Sequence, residues 1–262
     1  MNALIDTFPE KTFIENIAVD AFPNQQSLFE RLIIEIQKPT QSFVAYLNVH
    51  VANTAFTNPQ LKSILKSCDV VYCDGAGIAL AAKLLKKLTY TRITAADWLF
   101  ELLKVMSDRG LKVYLLGGEP GVPEQALQII NQKLPNHSVV GVHHGYILKN
   151  EGLENRVIDQ INALKPDLLI VGFGTPLQEV WLDKNRHRLN VSVVYAIGAV
   201  MDYLVGKVSR CPQWMGDCGL EWLYRFCVEP KRLFGRYILG NPWFLSRILL
   251  TAITGPRFSE AV

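Results

Sequence analysis

Two hydrophobic patterns alternate along residues 1–205 of the chain. Short apolar runs are typical of strands that are buried on both faces of a sheet. Longer segments repeat their apolar residues at helical spacing, as Leu28, Leu32, Ile33 and Ile36 do. The predicted strands are 13–19, 43–47, 69–73, 112–116, 138–142, 168–171 and 191–197. The predicted helices are 25–37, one that follows Asn48 and reaches residue 58, 60–66, 78–88, 98–109, 123–134, 153–164 and one that ends near residue 189.

The order of these elements predicts the fold. Strand and helix alternate about six times, which is typical of a parallel sheet with helices on both faces. From residue 206 onward no strand is evident, and three short helical pieces are separated by Pro212, Pro230 and Pro242. We therefore predict an α/β, doubly wound (Rossmann-like), mainly parallel sheet in a core of residues 1–205. Residues 206–262 are predicted to form a helical, membrane-associating C-terminal appendage.

The last predicted helix, 243–253, is apolar nearly all round. At 1.5 Å per residue it is about 16 Å long, which is too short for a bilayer core of about 30 Å. It could lie in the membrane interface or in the protein core, and its periodicity is compatible with both.

The composition limits the expected cellular location of the protein. The chain has 262 residues, 49% of them hydrophobic, and a mean hydropathy of +0.14, with no apolar run long enough to span a membrane. We see no secretory signal at the start of the chain. The five cysteines form no CxxC pair and are expected to be reduced thiols of a cytoplasmic protein. A metal site is not expected.

The net charge of +3 is unevenly distributed. Residues 207–262 hold 8 Lys and Arg against 4 Asp and Glu, while the remainder holds 19 against 20. The basic residues lie among aromatic ones, which favours a surface that meets phosphate or anionic lipid. A plain solvated basic face is the alternative. No nucleic-acid partner is expected, and both a monomer and a homo-oligomer are compatible with the sequence.

The stretch 167–182 has the pattern of an anion pocket. An apolar strand ends at Gly172 and Gly174, turns through Thr175 and Pro176, and continues as a helix from Gln178. Free N–H groups at a helix N-terminus can bind phosphate. An ordinary turn between a strand and a helix would show the same spacing, so this pattern alone leaves both interpretations open.

In open parallel sheets, ligands bind at the carboxyl ends of the strands. The candidate residues at those ends are Asn48, Asp74, Gly117, Gly118, His144, Tyr146, Gly174, Gln178, Gly198 and Asp202. Asp74 directly follows an apolar strand and precedes a glycine, which suits a general base. An Asp-Gly pair at a strand end is also a common turn, which is the structural alternative.

Two motifs of nucleotide enzymes are missing. The chain has no DxD motif to hold a divalent cation and no complete GxGxxG fingerprint. An anionic leaving group would then depend on helix N-termini and arginines. Candidate arginines are Arg92, Arg210, Arg225, Arg232 and Arg236.

At this point the motifs resemble those of the WecG/TagA/CpsF glycosyltransferases, family 26 in the sequence classification, over nearly the whole chain. The matching pieces are Asp74-Gly-x-Gly77, Arg92-Ile-Thr94 with Asp97, Leu115-Leu-Gly-Gly118 with Gly121, His143-His-Gly-Tyr146, Gly172-x-Gly-x-Pro-x-Gln-Glu179 and, most specifically, the run 198–232.

The resemblance implies transfer of a sugar, with inversion and without metal or other cofactor, from a UDP-sugar to an undecaprenyl-diphosphate-linked sugar. The expected location is the cytoplasmic face of the membrane, where the protein would be peripheral on an anionic surface. The pathways implied are surface polymers and exopolysaccharide.

The resemblance also implies residue roles. Asp74 is the candidate base, Asn48 lies by a sugar, Arg92 and Gln178 lie in the donor pocket, and Arg225 and Arg232 close the site over the diphosphate. The substrate-binding set also includes Tyr46, Gly117, Gly118, Tyr146, Gly174 and Asp202.

Two positions depart from the family pattern. Tyr46 stands where many relatives have threonine, and Gly235 stands where relatives often have a basic residue, with Arg236 next along. Among UDP-glucose, UDP-N-acetylmannosamine and its uronic acid, the change at Tyr46 favours UDP-glucose.

Two other classes of function are weighed against the transferase. A nicotinamide-dependent Rossmann oxidoreductase should show GxGxxG followed by an acidic residue about 20 positions later. A non-catalytic lipid-phosphate-binding module would keep the basic appendage but would not need Asp74.

Overall fold

The computed structural model describes residues 9–86 and 91–255. Eight strands form one sheet in the order β1-β2-β4-β3-β8-β7-β5-β6, and every pair is parallel except β1 with β2. The strands are β1 Lys11–Ile14, β2 Ile17–Asp20, β3 Ser42–Leu47, β4 Val70–Cys73, β5 Val113–Gly117, β6 Val139–His143, β7 Leu168–Gly172 and β8 Val193–Ala196. The prediction of an α/β fold with a mainly parallel sheet is confirmed, while the Rossmann-like winding stays a prediction.

Helices occupy the connections between the parallel strands. They are α1 Gln25–Ile36, α2 Val49–Thr57, α3 Pro59–Ser67, α4 Ala76–Lys86, α5 Ala95–Asp108, α6 Val122–Lys133, α7 Glu151–Leu164, α8 Leu177–Asn185 and α9 Val200–Leu204. A 3-10 turn, Arg186–Arg188, extends α8. The predicted end of the helix 78–88 lies outside the described residues.

The predicted strand 13–19 is wrong, because the structure has a hairpin there. Glu15 and Asn16 adopt positive φ angles of 51° and 68°, and β1 turns back on β2 as an antiparallel pair. Two consecutive residues with positive φ are the mark of a tight hairpin turn, and asparagine tolerates that conformation well. The apolar residues on both sides of the turn conceal it in the hydrophobic pattern.

The sheet forms the core because its central strands are apolar on both faces. Every residue of β3, β4, β5, β7 and β8 is buried. Burial on both faces explains why these strands appear in the sequence as unbroken apolar runs rather than alternating ones.

The strand order creates a crevice between β5 and β7. The chain leaves β5 toward β6 on one side and leaves β7 toward β8 on the other. Connections that diverge in this way open a space at the carboxyl ends of the strands, where ligands bind in such folds. The backbones are very close there, since a Cβ on Gly117 would lie 2.5 Å from the Gly172 carbonyl oxygen.

Within described residues 207–255, the chain forms helices joined by turns and no strand. These helices are α10 Gln213–Asp217, α11 Glu221–Val228, α12 Pro230–Phe234 and α13 Gly240–Thr254, with a π-helical turn, Gly235–Leu239, between the last two. The predicted break at Pro242 is wrong, because Pro242 lies in the first turn of α13. The helix continues into α13 from the π-helical turn, where the Gly240 N–H donates to the Gly235 carbonyl, and such a turn changes the hydrogen-bond pattern just before the proline.

The last helix is partly a core helix. Phe244 and Ile248 of α13 are buried in the same hydrophobic core as the sheet. Arg247 donates to Glu15 in the hairpin turn at 2.5 Å and to Asn53 of α2 at 2.8 Å. The opposite face of α13 exposes Leu249, Leu250 and Ile253, the last of which is 82% exposed. The domain boundary at residue 206 stays a prediction.

Within the described residues, none of the helices is both long and apolar enough to cross a bilayer.

Candidate active site

A cavity of about 1420 Å³ lies at the carboxyl ends of the parallel strands. The residues that follow β3, β4, β5, β7 and β8 form its floor, and residues from α11, α12, the π-helical turn and α13 form its rim. The cavity brings together most of the site residues predicted from the sequence, namely Tyr46, Asn48, Asp74, Arg92, Gly118, Tyr146, Gly174, Asp202, Arg225 and Arg232. Gln178 and Gly117 do not line it.

Asp74 is held in the floor by two hydrogen bonds, one to each carboxylate oxygen. Asn48 donates from Nδ2 to Oδ2 at 3.1 Å, and the Thr94 hydroxyl donates to Oδ1 at 3.1 Å. Asn48 is itself fixed, because its Oδ1 caps α2 by accepting from the Val51 N–H at 3.0 Å. The carboxylate therefore has a defined orientation before any ligand binds.

The surroundings of Asp74 act on its protonation in both directions. Burial raises the pKa of Asp74, and the negative charge of Glu221 raises it further, while the bonds from Asn48 and Thr94 and the charge of Arg92 lower it. Burial is the largest of these effects, so the pKa of Asp74 is above its ordinary value of 3.8. A carboxylate with a raised pKa is a stronger base than a solvated aspartate.

The other part of the floor is built from glycine turns. Gly118, Gly172, Gly174 and Gly198 line the cavity at the ends of β5, β7 and β8. Gly174 and Gly198 have positive φ angles of 80° and 81°, which other residues adopt only with strain. Because these residues have no side chains, a ligand can approach the backbone closely in this part of the cavity.

Gln178 lies behind these turns and braces them. Its side chain is fully buried, and its Oε1 accepts from the N–H of Gly198 at 3.0 Å and of Gly174 at 3.3 Å. Its Nε2 donates to Glu179 at 2.8 Å. Gln178 thus joins the turn after β7 to the turn after β8, and its side chain does not reach the cavity surface.

Tyr46 forms the wall between the two parts of the floor. It is 8% exposed and lines the cavity, and a Cβ on Gly198 would lie 3.1 Å from its hydroxyl oxygen. Burial, with the nearby charges of Glu179 and Asp74, raises the pKa of Tyr46, so its hydroxyl stays protonated at neutral pH. A residue as large as tyrosine at this position removes volume from the cavity beside Asp74.

The rim is basic. Arg225, Arg232 and Arg236 come from α11, α12 and the π-helical turn, and all three line the cavity. Arg232 forms an ion pair with Glu229, and the Arg225 guanidinium lies over the Tyr203 ring at 5.7 Å. Among the described residues, the Nε atoms of Arg225 and Arg236 are buried without a hydrogen-bond partner, and both side chains line the cavity.

His50 lies under this rim on α2. Burial, followed by the positive charges of Arg236 and Arg225, lowers the pKa of His50 to about 4. The imidazole is therefore neutral at pH 7 and adds a hydrogen-bonding group without adding charge.

The opposite end of the cavity carries acidic and aromatic groups. Asp202 lines the wall, and burial raises its pKa. Tyr146 is 65% exposed, and its hydroxyl lies 3.5 Å from Glu119, which pairs with Lys207 at 2.6 Å. These residues come from the turns after β5 and β6, from α9 and from the segment that follows α9.

Arg92 is already engaged within the protein. Its guanidinium donates to Glu221 at 2.5 Å, to the Thr94 hydroxyl at 3.0 Å and to Asp97 at 3.4 Å. Arg210 also pairs with Asp97. These contacts attach the C-terminal helices to the start of α5 beside Asp74.

Sequence reasoning missed three of these residues. Thr94 stands inside a motif that the sequence analysis quoted, and its position one residue before α5 was a usable signal. His50 and Glu221 had no signal in the pattern, since their contacts join segments far apart in the chain.

No group of three or more His, Cys, Asp or Glu side chains is arranged to hold a metal ion within residues 9–86 and 91–255. Metal-independence stays a prediction of the resemblance.

The chain is similar to known proteins over most of its length. Residues 13–257 match the model of the glycosyl transferase WecG/TagA/CpsF family. An N-acetylglucosaminyldiphosphoundecaprenol N-acetyl-beta-D-mannosaminyltransferase of Staphylococcus aureus strain NCTC 8325 is 30% identical over 213 residues, 81% of each chain. A protein of the same name from Bacillus spizizenii strain W23 is 28% identical over 208 residues, 79% of each chain.

Proposed function

The chain belongs to the WecG/TagA/CpsF family of glycosyltransferases, and from that premise we propose that it moves a sugar from a UDP-sugar to an undecaprenyl-diphosphate-linked sugar in cell-envelope polymer synthesis. The observation that carries the proposal is the setting of Asp74. The Asp74 carboxylate, whose pKa is raised, is fixed by Asn48 and Thr94 in the floor of a cavity with a basic rim.

Asp74 acts as the general base. Its free lone pairs take the proton from an acceptor hydroxyl, whose oxygen then attacks the anomeric carbon from the face opposite UDP. The new C–O bond forms as the bond to the UDP oxygen breaks, so the configuration inverts. In an oxocarbenium-like transition state the hydroxyl loses its proton late, and a carboxylate is a sufficient base for that step.

The leaving UDP carries the developing negative charge. The glycine turns let the diphosphate approach the backbone closely on one side of the cavity, and Arg225, Arg232 and Arg236 supply guanidinium donors from the rim. Donors fixed before the reaction stabilise charge without reorganising during it. We assign Gln178 to holding the glycine turns in place rather than to direct contact with the donor.

The relatives make UDP-N-acetylmannosamine the first donor to test. Both compared proteins are named as N-acetylmannosaminyltransferases that act on N-acetylglucosaminyldiphosphoundecaprenol. Tyr46 narrows the cavity beside Asp74, which supports a donor without a bulky N-acetyl group, such as UDP-glucose. We propose that the acceptor is a lipid-diphosphate-linked N-acetylglucosamine, as the names of the relatives say of their acceptor. Both UDP-N-acetylmannosamine and UDP-glucose are donors to be tested.

The test is UDP release with a panel of UDP-sugars and a lipid-diphosphate-linked N-acetylglucosamine acceptor. Acceptor-dependent UDP release with one donor supports the proposal. Binding of the lipid without UDP release from any donor would favour a lipid-phosphate-binding module. Reduction of a nicotinamide cofactor would favour an oxidoreductase, for which the structure offers no support beyond its α/β class.

We further propose that the C-terminal helices place the protein on the cytoplasmic face of the membrane. Large apolar side chains are exposed there beside Lys231 and Arg232. They include Trp214, Val228, Phe234, Leu239, Leu249, Leu250 and Ile253. An apolar face with basic neighbours binds anionic lipid reversibly, and each Lys or Arg near the surface contributes about 1 kcal/mol.

Vesicle flotation tests this placement. The double variant Leu250→Ser and Ile253→Ser should bind vesicles containing phosphatidylglycerol about 10-fold or more weakly than the unmodified protein, because each buried leucine or isoleucine is worth about 1.5–3 kcal/mol. Ile34→Ser is the matched control, since Ile34 is 46% exposed on α1 of the core. Equal flotation of all three proteins would contradict the placement.

A further inference from the structure

The Thr94 hydroxyl connects Asp74 to the C-terminal helices. It accepts a hydrogen bond from Arg92 at 3.0 Å and donates one to Asp74 at 3.1 Å. A guanidinium can only donate, so the one hydroxyl proton of Thr94 must point to the carboxylate while Arg92 is in place. Arg92 thereby fixes the direction of the hydrogen bond that Asp74 receives.

The Thr94 side chain contacts Asp74 instead of capping α5. Thr94 occupies the N-cap position of α5 in extended conformation, where a threonine side chain normally accepts from an N–H of the first turn. Its side chain makes no such capping bond here. The backbone holds the residue at the strand end instead, since the N–H of neighbouring Ile93 donates to the Cys73 carbonyl at 3.2 Å.

Arg92 is in turn positioned by the C-terminal helices. Its Nη1 donates to Glu221 of α11 at 2.5 Å, and both side chains are about one-fifth exposed. Gly216 of α10 packs on the guanidinium, since a Cβ there would lie 3.0 Å from Nη2. Loss of Glu221 would remove one of the two acceptors of Nη1, the same nitrogen that donates to Thr94.

We propose that Glu221, Arg92 and Thr94 form a positioning relay through which docking of the C-terminal helices sets the orientation of Asp74. This inference rests on the proposed function, because it explains how the base is aligned for transfer. Thr94 and Glu221 are positioning residues, since neither needs to touch the reacting atoms. The relay couples docking of the C-terminal helices, which form the basic rim, to the orientation of the Asp74 carboxylate. A protein with undocked helices would therefore be a poor catalyst.

Steady-state kinetics with the active UDP-sugar test the relay. Thr94→Val keeps the shape of the side chain and removes the hydroxyl, and it should lower kcat by about 10- to 100-fold, the range for a hydrogen bond to a charged group. The KM for the donor should stay within about 2-fold, because only the base is disturbed. Thr94→Ser should recover most of kcat. Loss of kcat in Thr94→Ser equal to that in Thr94→Val would overturn the role of the hydroxyl.

A double-mutant cycle tests the connection to Glu221. Glu221→Gln should lower kcat by itself but add little in the Thr94→Val background, because both changes break one relay. Glu35→Gln is the matched control, since its ion-pair and hydrogen-bond partners Arg31, Lys38 and Ser42 lie outside both the relay and the C-terminal helices. Its effect should multiply with that of Thr94→Val. Multiplicative effects for Glu221→Gln as well would overturn the relay.

A second readout is independent of sugar transfer. The carboxyl carbon of Asp74, assigned with Asp74→Asn, is titrated by NMR in protein carrying ¹³C-labelled aspartate. Thr94→Val should raise the pKa of Asp74, because one bond to the ionised form is lost. The charged groups that act on the pKa of this carboxyl are Glu221, which raises it, and Arg92, which lowers it. Its hydrogen-bond donors are Asn48 and Thr94.

Glu221→Gln separates a relay from a simple charge effect in the same titration. If Glu221 acted only through its charge, its removal would shift the pKa of Asp74 equally with and without the Thr94 hydroxyl, and equal shifts would overturn the relay. The relay predicts unequal shifts. If the unmodified protein releases no UDP from any donor, the proposed function fails, and this titration still decides the relay.

Discussion

The two parts of the cavity floor are built in different ways. Beside β3 and β4, side chains form the surface, and Asn48 and Thr94 hold Asp74 through both of its oxygens. Beside β7 and β8, the surface is backbone at Gly174 and Gly198, and the side chain that organises it lies behind the wall. We call these the side-chain part and the backbone part of the floor.

The difference follows from what each part must do. A base has to present one atom in one direction with a controlled pKa, which requires a carboxylate with fixed partners. A diphosphate is large and its charge is diffuse, so it needs open space beside the backbone, while the arginines of the rim supply the donors. The side-chain part suits the proton transfer, and the backbone part suits retention and release of UDP.

Of the changes to either part of the floor, removal of the base should lower kcat the most. Asp74→Asn should lower kcat by about 10²- to 10⁴-fold, the usual contribution of a general base, with little change in UDP-sugar binding. UDP-release kinetics measure the first, and calorimetry with UDP-sugar measures the second. Asp159→Asn on the exposed face of α7 is the control. Turnover near the unmodified level in Asp74→Asn would exclude Asp74 as the base.

A change at Gln178, behind the backbone part of the floor, should affect the KM for the donor more than it affects kcat. Gln178→Leu keeps most of the volume and leaves the N–H groups of Gly174 and Gly198 without their acceptor. We expect the KM for the donor to rise by about 10-fold with a smaller change in kcat, and the free energy of unfolding to fall by about 1–3 kcal/mol for each unpaired group.

Asn185→Leu on the same helix separates the two effects of Gln178→Leu. Asn185 is buried and donates to Glu154 at 3.0 Å and to the Trp181 carbonyl at 3.1 Å, away from the cavity. Its replacement should lower the free energy of unfolding without raising the KM for the donor. A higher KM in both variants would mean that general loosening of α8, rather than the glycine turns, sets donor affinity.

The backbone part was the easier one to predict from the sequence. An apolar run that ends in glycines and continues at helical spacing predicts a strand, a turn and a helix. All three are local, so no contact between distant segments is needed to predict them. What the sequence could not show was that Gln178 faces away from the ligand. Its position depends on the Gly198 turn, which is 20 residues away along the chain.

The side-chain part could be predicted only residue by residue. Asp74 stood out because a charged residue directly follows a buried strand, and the sheet then brings Asn48 next to it through the pairing of β3 with β4. Glu221 is 129 residues from Arg92, and an ion pair at that separation leaves no periodic signal. The hairpin at Glu15 was hidden for a different reason, since apolar residues flank the turn on both sides.

The smallest predicted effect concerns His50, where the side-chain part meets the basic rim. Its pKa is lowered from 6.5 to about 4, so the folded protein binds this proton less readily than the unfolded chain does. The stability due to neutral His50 is present above pH 6.5 and is lost as the pH falls toward 4. His50→Gln should therefore make the free energy of unfolding, measured with urea, less dependent on pH across that window. Arg236→Gln should have a weaker effect in the same direction, because it removes one repelling charge and leaves the burial. An unchanged pH dependence in His50→Gln would mean that the pKa of His50 is not lowered in the folded protein, and an unchanged pH dependence in Arg236→Gln would mean that the Arg236 charge does not act on His50.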